Sequence, residues 1–379
     1  MTRLRFENAR LVLEDGVETG GLAVEDGRIA ALDPQGGGRG KAIDLDGDLL
    51  LPGLVDLHTD NLERHYLPRR GVTWDPIAAA VAHDAQIAAS GTTTVFDSLT
   101  IGANEAWDIR AEMIDPMLAG LRRAEASGML KVGHRLHLRC EVTHPDVVGI
   151  FEGHAARVPV HLVSLMDHAP GDRQSPDIDA YRRRYRRILG DEARVEAHIN
   201  ALIDASRRFA PDNARRLGAL AGERRIPLAT HDDASPGHVD LALGLGARFS
   251  EFPTTLAAAA HAKAHGLPVL MGTPNLMRGG SHAGNVAAGE LARYGLLDLL
   301  ASDYVPASLL NGVFRLADPD HGVPLHEAAG MATSAPARAA GLADRGSLAP
   351  GLRADLVRVR PVGGYPVVRG VWCAGSRVA

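Results

Sequence analysis

Leu51-Pro52-Gly53-Leu54-Val55-Asp56-Leu57-His58-Thr59-Asp60-Asn61 is the stretch on which the reading of this chain turns. Pro52 and Gly53 predict a turn. Leu54, Val55 and Leu57 follow as a short apolar run of the kind that forms a buried parallel strand. His58 and Asp60 are two residues apart, so in an extended chain they point to the same side. An imidazole and a carboxylate leaving the C-terminal end of a strand together suit half of a metal site. A lone pair of this kind is more often structural, so the rest of the chain must supply the other ligands.

Working outward, residues 1–50 read as all-β. Arg10-Leu-Val-Leu and Gly21-Leu-Ala-Val alternate, and Asp26-Gly27 is a hairpin signal. From 51 to about 330 the pattern becomes strand, loop and helix, repeated. After the first strand, further strands are predicted at 92–97, 134–141, 160–167, 226–230, 247–252, 268–272 and 299–303. Helices are predicted at 78–89, 107–126, 213–223 and 257–265. Eight apolar strands alternating with helices imply an α/β protein with a parallel sheet, most economically a (β/α)8 barrel. An open doubly wound sheet is the alternative, but the chain has no Gly-x-Gly-x-x-Gly fingerprint to support it. The stretch 172–213 is longer than one barrel helix needs and predicts a helical hairpin insertion. Its arginine runs suit a solvated face, a lid or a subunit contact. After 340 the chain is β again. The expected organisation is a small composite β-sandwich from 1–50 and 340–379 beside a catalytic barrel at 51–339.

Composition sets limits on function. The chain has 379 residues, 45% hydrophobic and 23% charged, as in ordinary globular enzymes. A formal charge of −5 gives no reason to expect a nucleic-acid partner. No apolar run reaches the roughly 18 residues of a membrane span, and the N-terminal residues lack the apolar core of a signal peptide. Cys140 and Cys373 are far apart in sequence, which suits a reduced, cytoplasmic protein. Lysines occur only at 41, 131 and 263, and the other basic residues are arginines.

In a barrel, catalytic groups stand at the C-terminal ends of the strands. The first strand offers His58 and Asp60. The third offers Glu141, the fourth Asp167 and His168, the fifth His231, and the last Asp303. His58, Asp60, Glu141, His168, His231 and Asp303 together make a set able to hold two divalent ions, one carboxylate bridging. Zinc suits such ligands, and so do iron and manganese. Two ions about 3.5–4 Å apart would lower the pKa of a bridging water, with Asp303 as the catalytic base.

This array resembles the amidohydrolase superfamily, as does the closing Gly346-Ser-Leu-Ala-Pro-Gly-Leu-Arg-Ala-Asp-Leu-Val. Asp60 replaces the usual second histidine of the first strand, and Glu141 stands where a bridging carboxylated lysine is common. Within the superfamily, several segments resemble the phosphonate-utilisation diphosphatases of the carbon–phosphorus lyase pathway. They are Leu54-Val-Asp-Leu-His-Thr-Asp-Asn, His134-Arg-Leu-His-Leu-Arg-Cys-Glu, Leu162-Val-Ser-Leu-Met-Asp-His-Ala-Pro-Gly, Thr230-His-Asp-Asp-Ala, Glu251-Phe-Pro-Thr-Thr, Leu270-Met-Gly-Thr-Pro-Asn and Arg278-Gly-Gly-Ser-His-Ala-Gly-Asn-Val. The resemblance implies hydrolysis of α-D-ribose 1-methylphosphonate 5-triphosphate to the 5-phosphate and pyrophosphate. The class also implies a homo-oligomer. Cyclic-amide hydrolysis or deamination by the same metal site is the second enzymatic reading, and a catalytically silent scaffold is the third.

A small-molecule triphosphate must find positive charge on a net acidic protein. Arg278, Gly280, Ser281, His282 and Asn285 form a Gly-rich loop whose backbone N–H groups suit phosphate oxygens, unless it is a plain turn. Asn61, Arg64, His65 and Arg69 follow the first ligands and are expected at the mouth. Arg139 alternates with Glu141 and so should face the same way. His83-Asp84 is a further candidate, or a pair on a helix surface.

Overall fold

The computed structural model describes residues 3–33, 41–103, 110–281 and 284–379. Eight parallel strands run in sequence order around a barrel: Leu54–Thr59, Thr92–Ile101, Gly133–Glu141, Leu162–Met166, Leu228–His231, Phe249–Glu251, Val269–Gly272 and Leu299–Ala301. Each stands where the apolar run is, with ends moved by a few residues. The first and eighth close the ring at their C-terminal ends, where Thr59 bridges Asp303. There the Asp303 N–H donates to the His58 carbonyl (2.9 Å) and the Asp60 N–H to the Asp303 carbonyl (3.0 Å). Closure therefore ties three of the expected site residues to one another through the backbone. Val55, Leu57, Phe96, Leu162, Ala229, Phe249, Leu270 and Leu299 fill the barrel interior.

Both chain ends form one further sheet of eight strands. The strand Arg3–Val12 pairs antiparallel with Val17–Glu25, and the strand Leu356–Val362 pairs with Leu49–Pro52. Phe6 meets Trp372 edge-on, with ring centroids 4.9 Å apart, in a core shared by the two termini. This sheet extends to Pro52, just past the expected limit at 50.

Pro52-Gly53 is not a turn, and this is a correction. Pro52 ends a strand of the terminal sheet, opposite Leu356, and Leu54 begins the first barrel strand. Gly53 is the single residue between two sheets. A Cβ there would lie 2.1 Å from Thr93 Oγ1, so only glycine lets the first two barrel strands approach. Gly53→Ala is expected to destabilise the fold by about 1–3 kcal/mol, the cost of forcing volume into a packed core. Urea unfolding measures this, and an unchanged midpoint would remove the close-approach argument.

The helical insertion consists of Ile178–Leu189 and Glu192–Glu223. Gly190, with φ +75°, caps the first helix, and Asp191 caps the second by accepting from the Ala193 N–H. Tyr181, Tyr185, Val195 and Ile199 pack between them. The second helix runs on through 213, so the expected helix at 213–223 is its C-terminal part. Among the described residues no helix is long and apolar enough to cross a membrane.

Candidate metal centre

Three histidines converge at the C-terminal end of the barrel, each held in the same way. His58 Nδ1 lies 2.8 Å from Glu251 Oε1. His231 Nδ1 lies 2.7 Å from Asp232 Oδ2, and His168 Nδ1 lies 2.8 Å from Glu141 Oε2. A carboxylate on Nδ1 fixes the ring and the tautomer, and it leaves Nε2 as a lone-pair ligand. His58 Nε2, His231 Nε2 and Glu251 Oε2 are buried and have no hydrogen-bond partner. Orphaned buried polar atoms are costly, and three at one place call for a partner.

The ligand atoms form overlapping groups whose members all lie within 4.8 Å of one another. They are His58, His231 and Glu251; His168, His231 and Asp232; and His58, Asp60 and Asp303. His58 and His231 each belong to two groups, so the constellation is continuous. Its electrostatics suit a cation. Burial is the largest single influence on the His58 pKa and lowers it, but the Glu251 and Asp60 carboxylates together raise it to about 10. A proton is thus retained where positive charge is short. Burial and the Asp60 carboxylate both raise the Asp303 pKa. Asp60 is pulled the other way: burial raises it, but Arg139 and His58 bring it down. The Arg139 Nη1–Asp60 Oδ1 distance is 2.8 Å. A divalent ion fits this donor set of imidazole nitrogens and carboxylate oxygens.

The backbone is bent where the ligands leave the strands. Asp232, Phe252 and Asp303 have φ of 56°, 54° and 55°. Left-handed geometry at non-glycine residues costs about 1–3 kcal/mol each and gathers at functional sites. Gly272 completes the pocket of Asp303: a Cβ there would lie 3.2 Å from Asp303 Oδ2.

Two adjoining cavities open over the centre. One, of 190 Å³, is lined by His58, His231 and Asp303 together with Arg278, Gly280, Ser281 and Asn285. The other, of 260 Å³, is lined by Glu141 and His168 and by side chains of the helical insertion. Asp60, Arg139 and Gln174 line both.

All six expected metal residues stand at this end of the barrel, though Glu141 has a different place from the one expected. Its two oxygens accept from His168 Nδ1 and from Thr143 Oγ1 (2.8 Å), so it lies behind His168 and outside the converging groups. Asn61 and His65 line neither cavity. Asn61 Nδ2 lies 2.9 Å from His83 Nδ1, and His65 Nε2 lies 2.9 Å from Gln86 Oε1. Arg64 donates to the Tyr304 carbonyl at 2.9 Å, and Tyr304 lines the first cavity. His282 lies outside the described residues. His83 and Asp84 are buried rather than on a helix surface. His83 Nε2 lies 2.7 Å from Asp97 Oδ1, and Asp97 Oδ2 lies 2.8 Å from His134 Nδ1.

Sequence reasoning missed Glu251 and Asp232 as site residues. Glu251 ends an apolar strand just as His231 does, so the strand-end rule, applied evenly, finds it. His137 is buried edge-on beneath His58 and is not a ligand. Burial pushes its pKa down to about 3, and its nitrogens face Ser98, Leu57 and Ser164.

A profile of the amidohydrolase family matches residues 150–378. The α-D-ribose 1-methylphosphonate 5-triphosphate diphosphatase of Escherichia coli K12 is 42% identical over 375 residues, 98% of this chain and 99% of that protein. The chain belongs to the amidohydrolase family. A more distant likeness is the imidazolonepropionase of Cereibacter sphaeroides, 28% identical over 91% of this chain and 90% of that one. Among solved structures, N-acetylglucosamine-6-phosphate deacetylase from Pasteurella multocida superposes with a TM-score of 0.64 at 16% identity, covering all of both chains. N-isopropylammelide isopropylaminohydrolase from Burkholderia multivorans gives 0.64 at 20%, covering 100% and 98%. These two likenesses show the fold, a barrel with a terminal sheet.

Proposed function

We propose that this amidohydrolase hydrolyses α-D-ribose 1-methylphosphonate 5-triphosphate to the 5-phosphate and pyrophosphate. The observation that carries the reading is the 42% identity to a diphosphatase of that name over nearly the full length of both proteins. The unpartnered Nε2 atoms of His58 and His231 support a pair of divalent ions, zinc first among zinc, iron and manganese. A divalent ion held there supplies Lewis-acid polarisation of a phosphoryl oxygen and a lowered pKa for water.

The chain's own residues do the rest. His58, His231, His168, Asp60 and Asp303 are the ligands, and Glu251, Asp232 and Glu141 orient the three imidazoles. Asp303, made more basic by burial, takes the proton of the attacking water at its carboxylate. Arg139, beside Asp60 and common to both cavities, binds phosphoryl oxygens near the reacting phosphorus. Phosphoryl transfer asks mainly for such positioning and charge stabilisation.

The test is phosphorus NMR of products from the ribose phosphonate triphosphate, run beside an assay with a cyclic amide. Pyrophosphate together with the 5-phosphate is the expected result. Ring opening of the amide with no pyrophosphate would favour the second reading, cyclic-amide hydrolysis by the same metal site.

A further inference from the structure

The two cavities differ in chemistry. Besides Arg139, which the two share, the smaller one carries one arginine, Arg278. Its other polar lining away from the metal ligands is mostly neutral, with Asn275, Ser281 and Asn285, and its walls include Phe252, Pro253 and Met271. Neutral donors and apolar faces suit a sugar ring with its hydroxyls. The larger cavity is lined by Arg110, Arg139 and Arg184, with Thr100, Thr143, Tyr181 and Tyr185. Its acids are already engaged: Asp60 by Arg139, and Glu141 by His168 and Thr143.

Two polar atoms in the lining of the larger cavity are buried without a partner, Arg139 Nε and Thr100 Oγ1. Both residues are more than nine-tenths buried, at 8% and 5% exposure. The insertion closes this cavity with Tyr181, Arg184 and Tyr185, which lie at i, i+3 and i+4 and so share one helix face. Tyr181 and Tyr185 stack with ring centroids 4.2 Å apart, and the Arg184 guanidinium lies 5.7 Å from the Tyr185 ring. Three other arginines on this helix are committed to acids, Arg182 to Asp179 and Glu196, Arg183 to Asp177, and Arg186 to Glu192, and Arg187 does not line the cavity. Arg184 has no acidic partner among the described residues.

We propose that the cavity walled by the helical insertion is the subsite for the β- and γ-phosphates, the group that leaves as pyrophosphate, and that Arg184 is one of its ligands. The inference rests on the triphosphate reading above. Under that reading the pyrophosphate end carries most of the substrate's charge, and the arginine-rich cavity is its match. Arg guanidinium groups pair with phosphate oxygens in bidentate fashion. The ribosyl phosphonate then lies in the smaller cavity, against Arg278 and the asparagines. The insertion thereby acquires a role in substrate recognition.

Calorimetric titration of the full, metal-loaded chain with each product alone tests this. Arg184→Ala is expected to weaken pyrophosphate binding by roughly tenfold, the scale of one charge-assisted contact. Its affinity for the 5-phosphate should stay within about twofold of wild type. Arg184→Lys, which keeps the charge, should fall between. Arg278→Ala should show the opposite split. Wild-type pyrophosphate affinity in Arg184→Ala, a loss confined to the 5-phosphate, or no pyrophosphate binding to the wild-type chain would each overturn the subsite. If the wild-type enzyme yields no pyrophosphate from the triphosphate, the activity reading fails, yet this binding measurement still decides what the cavity holds.

Discussion

Asp303→Asn is expected to lower kcat by roughly 10²–10⁴-fold, the contribution of a positioned general base. The substitution isolates the carboxylate. Asn tolerates the left-handed backbone at φ +55° as Asp does, so the strand end keeps its shape. The hydrogen bonds that close the barrel here use the Asp303 backbone rather than its side chain, and both survive. Metal content is therefore expected to stay close to wild type while turnover falls. The check is a kcat measurement beside metal analysis and a thermal melt of the same sample. Wild-type turnover in the variant would remove Asp303 from the role of base. A collapse of metal content and melting temperature together would make it structural.

Glu251→Gln should act on the metal before it acts on chemistry. The side chain is fully buried, with Oε1 on His58 Nδ1 and Oε2 unpartnered 3.8 Å from His231 Nε2. Gln keeps the volume and loses the charge. His58 then loses the carboxylate that fixes its tautomer, and an amide N–H₂ competes for the place of a cation. Removal of such an orienting carboxylate typically costs 10–100-fold in metal affinity. Apparent affinity is expected to fall by about that factor in competition with a chelator, with much of kcat recovered at saturating metal. Wild-type affinity in Glu251→Gln would mean that the carboxylate is a packing group.

The strands of the barrel are legible because each is a short, largely apolar run set off from the helices, and most of them lead into an ionisable residue. All eight lie where the periodicity places them. Asp60 and His58 do face together, with Asp60 Oδ1 3.4 Å from His58 Nε2, as extended chain requires. The same reasoning failed one residue later. A helix, Asn61–Tyr66, begins directly after Asp60, so side chains there rotate by about 100° per residue instead of alternating. That turns Asn61 toward the buried His83 and away from the cavity. Glu251 escapes the strand-end rule because the predicted strand, 247–252, runs past it, whereas the observed strand, Phe249–Glu251, stops at it. Pro52-Gly53 misled for another reason. Composition marks a break in ordinary strand geometry, but it does not say whether the chain reverses there or passes between two sheets. Which carboxylate faces which imidazole is a matter of tertiary distance, and no spacing in the sequence encodes it.

Metal removal is the most direct test of the account. The enzyme is stripped with a chelator, desalted, and assayed for pyrophosphate released from the ribose phosphonate triphosphate, before and after zinc, manganese or iron(II) is restored. The unpartnered Nε2 atoms of His58 and His231 predict no release from the stripped enzyme and recovery on addition of a divalent ion. Full activity in protein shown by elemental analysis to be metal-free would contradict it.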